Sequence, residues 1–125
     1  MNVVDSSAWL AWFAGEPNAK QFKKVITDTE NLIVPVLCVY EVFKVLLRET
    51  GETDALKAIT LLQQGKIIDL DTEIALNAAK LSHDKKLPMA DSIIYTIAEK
   101  YQATLWTQDS DFDGLPGVRY FPKEV

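Results

Sequence analysis

The strongest constraint on the fold is the alternation of short apolar runs with longer helical segments along the whole chain. Five short runs have the composition of β-strands and are bounded by turn residues, prolines or acids. They are Val3-Val4, Leu32-Ile33-Val34, Ile67-Ile68, Thr104-Leu105-Trp106-Thr107 and Val118-Arg119-Tyr120-Phe121. Strands that are separated by helices pair in parallel through right-handed crossovers. The sequence therefore predicts an α/β fold built on a parallel sheet of about five strands.

Six helices are predicted between these strands, and prolines or glycines mark most of their ends. The first is expected to begin with Ser6 or Ser7 as its N-cap and to end at Gly15. The others are predicted at about 17–29, 36–50, 53–64, 72–86 and 89–101. A chain of 125 residues has the length of one domain, so we expect residues 1–125 to form a single domain.

The reactive residues exclude several common kinds of site. Cys38 is the only cysteine and His83 the only histidine, so a Cys/His zinc site and an internal disulfide are both excluded. Nothing near His83 supports a Ser-His-Asp triad. The N-terminus lacks the basic and apolar regions of a signal peptide, and no run approaches the roughly 18 apolar residues of a membrane span. We therefore expect a cytoplasmic protein that does not enter a membrane.

Acidic residues stand where the site of an α/β protein is expected. In an open α/β sheet, ligands bind beyond the carboxyl ends of the strands. Asp5 ends the first predicted strand, and Asp109 follows the fourth within two residues. Carboxylate oxygens are the ligands that hard divalent cations prefer. Five acids are therefore candidates for a metal site: Asp5, Glu41, Asp91, Asp109 and Asp111.

Each candidate acid also has a purely structural interpretation. Asp5 is a favoured N-cap residue, and Asp91, in the first turn of its helix, would complement the helix dipole. Glu41 would lie on a solvated helix face with Lys44 and Arg48 and form an ion pair there. The acids after the fourth strand would make local turn hydrogen bonds. Taken one at a time, the acids leave both interpretations open.

Taken in order, four segments resemble the four motifs of PIN-domain ribonucleases, in particular the VapC-type toxins of prokaryotic toxin–antitoxin pairs. They are Asp5-Ser6-Ser7-Ala8-Trp9-Leu10, Glu41 within a hydrophobic helix, Leu87-Pro88-Met89-Ala90-Asp91-Ser92-Ile93-Ile94-Tyr95, and Leu105-Trp106-Thr107-Gln108-Asp109-Ser110-Asp111-Phe112. The resemblance covers essentially the whole chain, in order and at similar spacing. It departs at Met89, where the motif often has a small polar residue.

The resemblance implies a Rossmann-like, three-layer fold with strand order 3-2-1-4-5 and helices on both faces. It also implies endonucleolytic hydrolysis of RNA with Mg²⁺ or Mn²⁺ as the cofactor, and a cognate antitoxin as the partner. The residues that match the catalytic and metal-binding acids are Asp5, Glu41, Asp91 and Asp109. Those that match supporting positions are Ser6, Thr107 and Asp111.

The net charge of −5 is unfavourable for a protein that must bind RNA phosphates. The five candidate acids account for this whole excess of negative charge, so the remainder of the chain is balanced. A bound divalent cation would reverse the local sign where the substrate phosphate must lie. The acidic composition is therefore compatible with an RNA substrate.

The segment from Val36 to Leu47 is apolar on nearly all sides of its predicted helix. Such a helix must be covered on more than one face. The sheet is expected to cover one face, and a second subunit or an antitoxin helix the other. We therefore predict a homodimer formed through residues 36–64, with an antitoxin bound to the same region.

Two other functions fit part of the pattern. A phosphoacceptor receiver domain has a similar length and binds Mg²⁺ with acids at strand ends. It usually has paired acids after the first strand, whereas Ser6 and Ser7 follow Asp5 here. A catalytically inactive PIN-fold binding module is the second alternative, and the complete acidic set argues against it.

Overall fold

The fold, described for residues 1–124 by a computed structural model, is built on one five-stranded parallel sheet. The strands lie in the order β3-β2-β1-β4-β5, which confirms the order implied by the resemblance. The strands are β1 (Asn2–Val4), β2 (Leu32–Pro35), β3 (Lys66–Ile68), β4 (Thr104–Thr107) and β5 (Val118–Tyr120). Receiver domains of the CheY type have the order 2-1-3-4-5, so the observed order excludes that alternative.

Within residues 1–124, six α-helices connect the strands, as the sequence predicts. They are α1 (Ser6–Ala14), α2 (Ala19–Thr27), α3 (Val36–Thr50), α4 (Glu52–Leu62), α5 (Thr72–Lys85) and α6 (Met89–Lys100). Most ends agree with the predicted ones within two residues. Of the predicted caps of α1, Asp5 is the N-cap, because its carboxylate accepts the backbone N–H of Ala8, and Ser6 and Ser7 are not.

Helices cover both faces of the sheet. Successive side chains of a strand point to opposite faces, and Val3 and Val4 of β1 are both fully buried, as are Ile33 and Val34 of β2. Such continuous burial is typical of parallel strands between two helical layers. Helix α6 is also buried over seven successive residues, from Ser92 to Ala98. The first turn of α6, which carries Asp91, is therefore fixed against the rest of the protein.

The turn between α4 and β3 requires a glycine at position 65. A Cβ atom at Gly65 would lie 2.9 Å from the carbonyl oxygen of Leu32 and 2.9 Å from Cγ2 of Val34. Gln63 and Gln64 form turn hydrogen bonds before it, so α4 ends at Leu62, two residues earlier than predicted. The close approach lets β3 pair directly with β2.

The carboxyl ends of β1 and β4 lie side by side. Val4 is in register with Trp106, and the N–H of Asp5 donates to the carbonyl oxygen of Trp106 at 3.1 Å. This pairing brings two segments that are about a hundred residues apart in sequence to the same edge of the sheet.

Within residues 1–124, no helix combines the length and apolar character needed to cross a membrane.

Candidate active site

Asp5 lies at the carboxyl edge of β1 and is held by three hydrogen bonds. Its Oδ1 accepts from the N–H of Ala8 at 3.0 Å and from the Ser7 hydroxyl at 2.8 Å, and its Oδ2 accepts from the Thr107 hydroxyl at 2.8 Å. The side chain is only 2% exposed. Asp5 therefore caps α1, and the same carboxylate also faces the residues that follow β4. The structural and functional interpretations of this residue are compatible.

Thr107 joins two of the candidate acids. Its hydroxyl donates to Asp5 and accepts the backbone N–H of Asp109 at 2.9 Å. Thr107 is fully buried at the end of β4. Asp109 in turn accepts the N–H of Asp111 at 2.9 Å through Oδ1, which is the local turn bond expected of an aspartate in this position. One buried hydroxyl thus fixes the distance between Asp5 and the turn that follows.

Three aspartates converge at this edge. Asp91 comes from the first turn of α6, and Asp109 and Asp111 come from the turn after β4. One carboxylate oxygen from each residue lies within 4.8 Å of those from the other two. Three converging carboxylates match the hard oxygen ligands that Mg²⁺ and Mn²⁺ prefer. We call these three residues the aspartate cluster, and their chemistry fits a divalent cation.

The electrostatics of the site are those of crowded carboxylates. The pKa of Asp91 is raised from 3.8 to about 7, first by burial and then by the charges of Asp109, Asp5 and Asp111. Burial raises the pKa of Asp5 to about 6, although its hydrogen bonds from Ser7, Thr107 and Ala8 act in the opposite direction. Both shifts disfavour the ionised form. A cation at the aspartate cluster would relieve the repulsion that contributes to them.

Glu41 lies near the crowded carboxylates but outside the aspartate cluster. Its Oε1 accepts a hydrogen bond from the Ser6 hydroxyl at 2.7 Å. The predicted ion pair with Lys44 or Arg48 was wrong. Within residues 1–124, the Lys44 ammonium lies over the Tyr40 ring at 5.8 Å and Arg48 pairs with Glu49 at 3.1 Å.

The buried thiol of Cys38 indicates where Glu41 lies relative to the aspartates. Burial raises the pKa of Cys38 well above its usual value, and the charges of Asp5, Glu41 and Asp91 all raise it further. Glu41 and two of the aspartates therefore all lie near Cys38. The structure brings the predicted acids into one region, but Asp5 and Glu41 do not belong to the set that could share one ion directly.

The prediction from sequence missed a polar clamp behind the turn after β4. The amide of Gln108 donates to Glu16 at 3.1 Å and accepts from Asn18 at 3.2 Å, and its backbone N–H donates to Ser7 at 3.3 Å. Asn18 and Gln108 are each 5% exposed. A polar residue directly after a buried strand is a weak signal for Gln108. No local pattern identifies Asn18 or Glu16, because their partners are about ninety residues away.

Comparison with known proteins identifies the family of this chain. The family model of the PIN domain matches residues 3–118, and no curated protein matches the sequence. A toxin–antitoxin complex from Klebsiella pneumoniae contains a similar chain, with 25% identity, complete coverage of both chains and a TM-score of 0.82.

Two further solved structures share the fold at lower identity. The Sarcin-Ricin loop cleaving toxin VapC20 of Mycobacterium tuberculosis is 18% identical, with a TM-score of 0.76 over 94% of this chain and 97% of that one. VapBC2 of Rickettsia felis, bound to a DNA fragment from its promoter, is 12% identical, with a TM-score of 0.74 over 98% of each chain. Because the family model spans nearly the whole sequence and the fold agrees, this chain belongs to the PIN domain family.

Proposed function

We propose that this protein is a divalent-metal-dependent endoribonuclease and the toxin of a toxin–antitoxin pair. The observation that carries the proposal is the convergence of Asp91, Asp109 and Asp111 at the carboxyl edge of the sheet. This edge is where α/β proteins bind their ligands. The chain's membership of the PIN domain family supports the same activity.

The aspartate cluster holds the cation in this proposal, and the neighbouring residues position it. When bound, Mg²⁺ or Mn²⁺ offsets phosphate charge and lowers the pKa of a water molecule. Asp5 adds a carboxylate behind the cluster, held by Ser7, Thr107 and the N-terminus of α1. Glu41, held by Ser6, adds a further carboxylate at the margin of the site. Thr107 orients both Asp5 and the backbone of Asp109.

RNA is the proposed substrate. The support comes from a fold neighbour, VapC20, which is a Sarcin-Ricin loop cleaving toxin. The chain's own support is a site built from carboxylates with no histidine among the residues that form it. Such a site suits metal-assisted hydrolysis of a phosphodiester rather than acid–base chemistry by imidazole.

Incubation of purified protein with total RNA tests this proposal. We expect cleavage with Mn²⁺ and none with EDTA. Asp5→Asn, Asp91→Asn and Asp109→Asn should each abolish cleavage, and Asp111→Asn should reduce it less, because Asp111 is exposed. Asp113→Asn is the matched control, since Asp113 is an exposed aspartate near the cluster but outside it. Undiminished cleavage by a folded Asp91→Asn protein would contradict the proposal, and a folded wild type without any cleavage would support the inactive binding module instead.

An antitoxin is the proposed partner, and a groove between α1, α3 and α4 is its proposed site. Two adjoining cavities of about 500 and 280 Å³ share Phe13, Leu46 and Thr50. Two acids, Glu16 and Glu49, and one base, Lys123, line the larger one together with apolar side chains, so the groove suits a segment with apolar side chains and a basic residue. The toxin–antitoxin complex from Klebsiella pneumoniae supports a partner of this class.

Co-expression with the adjacent small open reading frame tests the partner proposal. We expect the encoded protein to co-purify with this chain and to suppress its RNA cleavage. Leu61→Glu should abolish co-purification, because Leu61 lines the groove and is 43% exposed. Leu76→Glu on α5, where Leu76 is 68% exposed, is the control that should retain it. Recovery of this chain alone would count against the partner.

A further inference from the structure

A cavity of polar character, separate from the two cavities of the groove, adjoins the aspartate cluster. It has a volume of about 450 Å³, and Ser7, Asp109, Ser110, Tyr120 and Lys123 are among the residues that line it. It lies beyond the ends of β4 and β5. A molecule in this cavity would therefore contact Asp109 while extending away from the cluster.

The lining of this cavity suits a phosphodiester strand. Ser110 and Tyr120 offer hydroxyl groups, and Lys123 offers an ammonium, whereas the Ser7 hydroxyl donates to Asp5. Lys123 is exposed and forms no salt bridge with any residue between 1 and 124, so no carboxylate in this part of the chain neutralises its charge. The only carboxylate in the lining, that of Asp109, belongs to the cluster that is proposed to hold a cation.

The polar cavity shares Ser7, Gln108 and Lys123 with a neighbouring cavity that has different chemistry. It is the larger part of the groove described above; Lys123 lines both cavities, but only this one is also lined by Glu16 and Glu49, together with apolar side chains. These carboxylates repel phosphate. A nucleic acid strand leaving the aspartate cluster is therefore directed toward Tyr120 rather than toward Glu49.

The segment that carries Lys123 is fixed beside the site. The N–H of Phe121 donates to the carbonyl oxygen of Thr107 at 2.9 Å. The buried amide of Asn18 donates to the carbonyl oxygens of Phe121 at 3.2 Å and Pro122 at 3.0 Å. The backbone directly before Lys123 is thus held by the same clamp that holds Gln108.

We infer that this cavity is a subsite for single-stranded RNA, in which Lys123 pairs with a phosphate next to the bond that is cleaved. The inference rests on the proposed function and adds the direction in which the substrate runs. It assigns the polar cavity to the substrate and leaves the acidic, apolar groove to a protein partner. Ser110 and Tyr120 then provide hydroxyl contacts to the same nucleotide.

Binding of a fluorescein-labelled, mixed-sequence RNA of about 12 nucleotides tests the inference by fluorescence anisotropy. Ca²⁺ replaces Mn²⁺ in this assay, and a gel verifies that the RNA stays intact. The variants are Lys123→Gln and Lys123→Arg, with Lys80→Gln as the control, since Lys80 is an exposed lysine of α5. Each dissociation constant is measured between about 50 and 200 mM salt.

We expect Lys123→Gln to reduce the slope of log affinity against log salt by about 0.7, the value for one phosphate contact on a single strand. Affinity near 0.1 M salt should fall roughly fivefold. Lys123→Arg and Lys80→Gln should keep the wild-type slope. An unchanged slope in Lys123→Gln, or no binding by the wild type, would overturn the inference. Cleavage is measured separately. If the wild type does not cleave RNA, the proposed nuclease is overturned, but the binding result for the subsite still stands.

Discussion

At the scale of single residues, the site depends on groups that serve two neighbours at once. Asp5 caps α1 and faces the aspartate cluster, and Thr107 connects Asp5 to the backbone of Asp109. A residue with two roles is difficult to assign from sequence, because each role alone explains its presence. The motif order identified Asp5 and Thr107, whereas Ser7 was missed: its bond to Asp5 is local, but its contact with the N–H of Gln108 exists only after β1 and β4 pair.

Thr107→Val tests the connecting role of the hydroxyl. The change keeps the shape of the side chain but removes the bond to Asp5 and leaves the N–H of Asp109 without its partner. The lost hydrogen bonds should cost about 1 to 3 kcal/mol of stability. The pKa of Asp5 should rise further, because the Thr107 bond lowers it. We expect Thr107→Val to have a lower kcat and a pH profile shifted to alkaline pH. Thr107→Ser should recover both. A Thr107→Val protein with the kcat and pH profile of the wild type would contradict the connecting role.

Asp91→Asn tests whether the acids form a functional cluster or are independent helix-end residues. Removing one charge from the crowded site should raise the melting temperature in EDTA and reduce the shift caused by Mn²⁺. Asp71→Ala provides the contrast, because Asp71 caps α5 by accepting the N–H of Ile74 at 2.8 Å. Loss of that cap should cost about 1 kcal/mol and leave the Mn²⁺ response unchanged. If Asp91→Asn behaves like Asp71→Ala in calorimetric melting curves, the acids are independent.

At the scale of helices and strands, the sequence predicted most of the fold. The strands β1 and β2 contain short continuous apolar runs that are buried on both faces, and such runs can be recognised without knowing the tertiary packing. Helix ends were less accurate: α2 begins at Ala19 rather than at Pro17 and ends at Thr27, before a 3₁₀ turn over Thr29–Asn31. Contacts such as Asn18 with Gln108 could not be predicted, because they depend on the tertiary fold.

Helix α3 also carries apolar surface that the rest of the chain leaves open. Tyr40 is 62% and Leu47 40% exposed, and the two are seven residues apart, on one face of the helix. On α4, Leu56 is 51% exposed. Exposed apolar surface of this kind is typical of protein interfaces. It supports the homodimer proposed through residues 36–64.

Leu47→Lys tests the homodimer. A charge placed at the apolar face of α3 should shift the protein from dimer to monomer without changing its fold. Leu76→Lys on α5 is the control and should leave the dimer intact. Light scattering at micromolar concentration measures both. A mass of 14 kDa for the wild type would contradict the dimer.

At the scale of the whole molecule, the clustered acids should make stability depend on pH. The pKa of Asp91 is raised to about 7 and that of Asp5 to about 6, so both bind a proton more tightly in the folded than in the unfolded protein. Their contribution to stability is fully present below the unfolded pKa of about 3.8 and is lost as pH rises through about 6 and 7.

We therefore expect the melting temperature in EDTA to rise as pH falls from about 8 to about 5. Mn²⁺ should flatten this dependence, because the cation replaces the protons that relieve the repulsion. Calorimetric melts across this range, with and without Mn²⁺, provide the measurement. If the melting temperature in EDTA instead falls as pH falls from about 8 to about 5, the acids are not crowded in the folded protein.

The central claim is that one set of carboxylates both binds the cation and supports RNA cleavage. Calorimetric titration of Mn²⁺, with RNA cleavage followed over the same concentrations, tests it most directly. We predict that binding and cleavage reach half their maxima at the same free Mn²⁺ concentration in the wild type, and that both are lost in Asp91→Asn and kept in Asp113→Asn. Cleavage that persists in excess EDTA, or Mn²⁺ binding by Asp91→Asn that equals that of the wild type, would contradict the claim.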